Sequence, residues 1–115
     1  MKPGPDADQA LIAHMRECLA LIAQYTANDR TRFDGSRMVQ DAVVRNLQIL
    51  TESSQRLSDA IKATEDLVPW RELAGFRNVL VHGYLGIDSQ AVWSVVEQDL
   101  PGLSAALTRM AMRCS

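Results

Sequence analysis

At 115 residues, with 47% hydrophobic and 5% aromatic side chains, the chain has room for one core and no second. A net charge of −2 and a pI near 5.6 exclude a nucleic-acid binder that works by bulk positive charge, so any contact with RNA has to be local or supplied by a partner. Two cysteines make no disulfide framework, no CxxC or His/Cys cluster suggests zinc, and no apolar run approaches the ~18 residues of a membrane span.

The opening "MKPGPDAD" has one lysine and no apolar stretch, so it is not a signal peptide, and a cytoplasmic protein is expected. Residues 1–9 are read as a flexible start and residues 10–115 as a single helical domain. The first helix is expected from about Asp8 to Ala27. Leu11, Met15, Cys18, Ile22 and Tyr25 recur every three or four positions and draw one apolar stripe. Cys18 lies on that stripe as a small core residue, and Cys114 sits in the tail as a free thiol. The polar stretch "NDRTRFDGS" reads as a loop in which Phe33 plugs the end of the bundle.

A long helix is expected over about Ser36 to Ala63, with Val39, Val43, Leu47, Leu50, Leu57 and Ile61 inward. Asn46, Ser53 and Ser54 fall on or beside the same stripe. Either they bond backbone carbonyls and neighbouring helices, or they line a polar cleft or symmetric interface. "EDLVPW" ends that segment, because Pro69 cannot continue a helix but suits the first turn of another. A third helix follows, Trp70 to Gly83. "LGID" is a turn, with Asp88 or Ser89 capping a fourth helix over Ala91 to Asp99. Pro101 either kinks that helix or starts a fifth, where Leu103, Leu107 and Met110 keep the apolar period. The expected fold is all-α, an up-and-down bundle of four to five helices.

The third helix carries "RNVLVHGY", with Arg77, Asn78, His82 and Tyr84 among apolar neighbours. On a wheel at about 100° per residue, Asn78 and His82 stack on one edge near Arg71, whereas Arg77 aligns with Tyr84. Arg77 and His82 are then about 140° apart, so one ideal helix does not easily aim both at one ligand; flexible side chains, a frayed end near Gly83 or a second copy of the helix across a dimer axis could. These groups suit RNA cleavage without a metal. Arg stabilises charge on phosphate oxygens, His moves a proton near neutrality, and Asn orients either partner. The competing account makes them a surface or interface network, and Arg-x4-His alone does not decide.

The wider context does. "AVVRNLQIL" followed by "VPWRELAGFRNVLVHGYLGIDSQAVWSVVEQDLPGL" resembles the HepT family of HEPN-domain ribonuclease toxins over about residues 10 to 110. The resemblance implies a HEPN-like homodimer whose motif helices meet at a shared cleft, which would resolve the 140° separation. It implies Arg77 and His82 as catalytic residues supported by Asn78, and no cofactor or metal. It further implies the toxin of a type VII-like toxin–antitoxin pair. The partner would be a minimal nucleotidyltransferase antitoxin that silences the toxin by transferring AMP to Tyr84, placing bulk and negative charge where RNA phosphate should bind. Arg45, Asn46, Glu52 and Arg71 are candidate cleft or RNA contacts. One departure stands out: where the family usually has Ile-Gly-Glu-Ala, this chain has Leu50-Thr51-Glu52-Ser53, and Thr51 in the Gly position bears on interface geometry. A rival function is a non-catalytic module that docks the nucleotidyltransferase and binds nucleotide or RNA. A third is a structural helical dimer.

Overall fold

The computed structural model describes the backbone over residues 5–81 and 88–114, and side chains over 7–76 and 88–114. His82 and Tyr84 lie outside the described residues, and so do the side chains of Arg77 and Asn78. All described elements are helical: α1 (Pro5–Thr26), α2 (Arg30–Asp34), α3 (Arg37–Arg56), α4 (Asp59–Ala63), α5 (Trp70–Val81), α6 (Ser89–Ser94) and α7 (Leu100–Cys114), with a π-helical turn over Val95–Asp99 between the last two. The all-α fold expected from the sequence is the one observed. The long elements are α1, α3, α5 and the run from α6 through α7; α1 packs between α3 and α7, and α3 between α1 and α5.

The apolar stripes become the core. Leu11, Met15, Cys18 and Ile22 of α1 are buried with Val43, Leu47 and Leu50 of α3 and Leu103, Leu107 and Met110 of α7. Burial pushes the Cys18 thiol up from its ordinary value, and the charge of Glu17 adds to that, so Cys18 is a small core residue rather than a nucleophile. Cys114 is half-buried, and desolvation raises its thiol too.

Four local boundaries differ from the sequence reading, each for a physical reason. Helix α1 begins at Pro5, inside the stretch expected to be flexible, with proline in the first turn where its missing N–H costs nothing. Asp8 of that turn is 5% exposed, and its carboxylate accepts from Ser58 N (2.9 Å) and Ser58 Oγ (2.6 Å). This bond places the start of α1 beside the end of α3, so the two run antiparallel.

The single long helix expected over 36–63 is two. Leu57 turns extended (φ −62°, ψ 145°), and Ser58 caps α4 by accepting from Ile61 N. The Asp8 contacts hold that break in place. The "RTRFD" segment, read as loop, is the short helix α2. Asp29 accepts from Thr31 N at its start, and Gln40 Nε2 donates to the Phe33 and Asp34 carbonyls at its end. Phe33 is fully buried and its ring lies 5.3 Å from that of Trp93, as a plug should. Finally, α6 and α7 join through the π turn. Leu100 N bonds back to Val95 O, five residues away. Pro101 has no N–H to give Glu97, and its ring crowds that carbonyl, so the wider turn relieves the clash. Asp88 caps α6 by accepting from Ala91 N, as the sequence suggested.

Three of the polar groups on the inner side of α3 bond their own helix, and Ser53 does not. Asn46 Nδ2 donates to Ala42 O (2.9 Å), Thr51 Oγ1 to Gln48 O (2.9 Å) and Ser54 Oγ to Thr51 O (2.7 Å). Thr51 is 1% exposed, so its extra bulk over glycine is absorbed within this chain's own core.

Candidate functional site

The motif helix α5 is anchored at its start. Trp70 N bonds Val68 O (2.9 Å), and Leu73 N bonds Pro69 O (3.0 Å). The Trp70 indole Nε1 donates to two carbonyls of the preceding segment, Lys62 O (3.2 Å) and Glu65 O (3.1 Å). Leu73 is buried and Phe76 half-buried, turning one face of α5 onto the core cluster. Residues 77 and 78 follow on the same helix, so Arg77 and Asn78 are carried by an element whose first turn is fixed to α4 and the 64–69 turn.

That turn is itself clamped to α7 by Glu65. Its carboxylate, 7% exposed, receives Arg109 Nε at 3.1 Å on each oxygen and Arg109 Nη2 at 2.6 Å. Arg113 Nη1 adds bonds to Glu65 Oε2 and to Thr64 Oγ1. The hydrogen bonds from Arg109 and then Arg113 hold the Glu65 carboxyl down at about 2. The planar guanidinium fork suits this bidentate geometry. Beside the clamp, Val68, Pro69, Leu73 and Phe76 share a mostly apolar cavity of about 420 Å³ with Leu103 of α7.

The other candidates distribute as follows. Arg45 and Glu52 are exposed on α3, and Arg71 is exposed in the first turn of α5. Asn46 is 8% exposed, with its amide engaged by Ala42, which is the first of the two readings given for the inner polar groups. Glu52 lines a separate groove between α1 and α3 together with His14, Ser53 and Arg56. The sequence reading did not single out Asp8, Glu65, Arg109 or Arg113. Their partners lie 44 to 50 residues away, and no local pattern announces such pairs. Among the described residues, no group of three or more His, Cys, Asp or Glu is placed to hold a metal ion. No described helix is long and apolar enough to cross a membrane.

Comparison with known proteins bears on what this framework carries. A "putative RNase" of Methanocaldococcus jannaschii is 37% identical over 73 residues, covering 64% of this chain and 67% of that protein. A "gamma-glutamylcyclotransferase and putative RNase" of the same organism is 33% identical over 99 residues, 84% of this chain, and the match spans only 44% of its length. A "probable ribonuclease HepT" of Thermococcus cleftensis is 32% identical over 95 residues, with 82% of this chain and 86% of the relative aligned. No solved structure matches the chain. The model of the family described as "Ribonuclease HepT-like" matches residues 15–110, which takes in the whole of α5 and the core that anchors it: the chain belongs to the HepT-like ribonuclease family.

Proposed function

We propose that the protein is a metal-independent endoribonuclease acting as the toxin of a toxin–antitoxin pair. The observation that carries this is the family match over 15–110, which takes in the sequence motif Arg77-x4-His82, whose arginine position lies on the anchored helix α5. In this reading the 2′-OH attacks the adjacent phosphorus and the bond to the 5′-oxygen breaks. His82 takes the 2′ proton and returns one to the leaving oxygen. Arg77 stabilises the charge that builds on the non-bridging oxygens. The products are a 2′,3′-cyclic phosphate and a 5′-hydroxyl, with later hydrolysis giving a 3′-phosphate. Asn78 orients the pair, and Arg45, Glu52 and Arg71 supply outlying RNA contacts. Two copies of α5 meeting in a homodimer complete each site.

Regulation follows the same logic. A nucleotidyltransferase antitoxin transfers AMP from ATP to the Tyr84 hydroxyl with loss of pyrophosphate. The added phosphate, two residues from His82, repels the substrate backbone.

The test is RNA cleavage by the isolated protein in excess EDTA, wild type beside His82→Ala, with product ends mapped and Tyr84 checked for AMP by mass. Cutting in EDTA that disappears in the variant is the expected result. Equal cutting by both proteins, or none by folded and unmodified wild type, sinks the proposal.

A further inference from the structure

The groove between α1 and α3 gathers polar side chains around Glu52, named above as an outlying RNA contact, and most of them have no part in the proposed cleavage step. It has a volume of about 360 Å³ and is lined by His14 of α1, by Glu52, Ser53 and Arg56 of α3, and by apolar Leu11 and Ile49. That volume is in the range of small-ligand clefts, about 300 to 1,000 Å³. The polar groups in it are unspent. The exposed arginines Arg30 and Arg37 pair with the aspartates one turn on, whereas Arg56 and Glu52 make no ion pair among the described residues. Ser53 is only 6% exposed, yet its hydroxyl has no partner among the described residues, in contrast to Thr51 and Ser54, which bond their own helix. The Ser53 hydroxyl is open to the groove rather than sealed in the core, so water or a ligand seated there can bond it.

The mixture of groups restricts what that is. A bare anion would meet Arg56 but also the Glu52 carboxylate, and a cation the reverse. A ligand that brings an acceptor and a hydroxyl donor within a few ångströms satisfies both, and a ribonucleotide does so through its phosphate and its 2′-OH. We propose that this groove is a ribonucleotide subsite: Arg56 binds phosphate, Glu52 and Ser53 take ribose hydroxyls, and His14 and Ile49 flank the base. Resting on the ribonuclease reading, the occupant is a unit of the RNA strand held outside the cleavage site; the same chemistry admits a free nucleotide. The helix that carries Glu52, Ser53 and Arg56 also packs against α5, so the groove and the element bearing Arg77 are held by the same helix.

The test measures binding by fluorescence anisotropy with a short labelled RNA, on protein carrying His82→Ala so that the probe survives. Arg56→Ala is expected to weaken RNA binding about tenfold and to make the salt slope shallower by about 1. Arg37→Ala, a charge-matched change on the same helix outside the groove, leaves the affinity as it was. DNA of the same sequence binds less tightly than RNA, and Glu52→Gln narrows that gap because the carboxylate no longer selects the 2′-OH. Competition by AMP that is lost in Arg56→Ala supports the same site with a free nucleotide as its source. Equal RNA affinity for Arg56→Ala and Arg37→Ala overturns the subsite, as does absence of RNA binding. So does a change of mass in sedimentation without a change of affinity, which would make the groove an interface between copies. Failure of the ribonuclease reading shows separately, as wild type that binds RNA in this way and does not cut it.

Discussion

Replacing Trp70 by Phe isolates the anchor of the motif helix. The indole N–H serves two carbonyls, Lys62 O and Glu65 O, and the substitution removes it while keeping an aromatic ring. Neither carbonyl is orphaned, because Lys62 O still accepts from Glu65 N (3.0 Å) and Glu65 O from Val68 N (3.2 Å). The loss is therefore near the net value of one hydrogen bond, about 1 kcal/mol, and not the larger cost of a buried group left without a partner. The smaller ring of a half-buried side chain adds about 0.5 to 1 kcal/mol. At about 2.1 cal/mol/K per residue, unfolding entropy for a chain of this length makes 1 kcal/mol worth about 4 °C in Tm. Trp70→Phe should then lower Tm by about 6 to 8 °C, followed by circular dichroism at 222 nm, with an unchanged urea m-value. A Tm within 2 °C of wild type would refute the indole as an anchor. A fall beyond about 16 °C would refute the claim that the carbonyls keep their second donors.

Phe33→Ala empties a fully buried site against Trp93, and a loss of about 3 to 5 kcal/mol is expected in urea unfolding; a loss under 1 kcal/mol would mean α2 does not plug the bundle. Ala27 holds a left-handed backbone (φ 52°) at the end of α1, where a Cβ costs roughly 1 kcal/mol. Ala27→Gly should accordingly raise Tm by a few degrees, and a lower Tm would contradict the strain. The Glu65 carboxyl is held at about 2, below an unfolded value of 4.5. Its contribution is thus present in full above about pH 4.5 and is lost as pH falls toward 2. Between those limits wild type should lose more stability than Glu65→Gln, which has no carboxylate to protonate; parallel pH–stability curves would refute the clamp.

Much of the fold was legible because helical periodicity is a local signal. The stripes of α1 and α7, the Asp88 cap and the role of Phe33 follow from spacing and turn chemistry within a few residues. The break after Arg56 was hidden by the same signal: Leu50, Leu57 and Ile61 keep the helical period straight through it. Ser58 followed by Asp59 is a helix-start pattern that marks the break locally, but what fixes it is Asp8, fifty residues away. Likewise Asp29 and Gly35 bracket α2 in the sequence, and the run of charges around Phe33 obscured them. Of the candidate site, the motif of residues 77–84 was visible because its residue types are chemically pointed. Glu65 and its two arginines were not, since each is an ordinary charged residue until the fold brings them together.

The arrangement of α3 explains how one helix serves both the core and a surface for chemistry. Asn46, Thr51 and Ser54 turn back on carbonyls of their own helix, so these three demand no partner from α1 or α5. That frees the helix to pack on both neighbours at once. Ser53 is the departure from this rule, since Asn46, Thr51 and Ser54 are all spent inside the helix while its hydroxyl is not. On the same turn stand Glu52 and Arg56, unpaired among the described residues, facing the groove that His14 closes from α1. Polar groups that a bundle needs for its own stability are bonded within it. Those left open at a groove are available to a substrate, and here they lie on the helix that packs against α5.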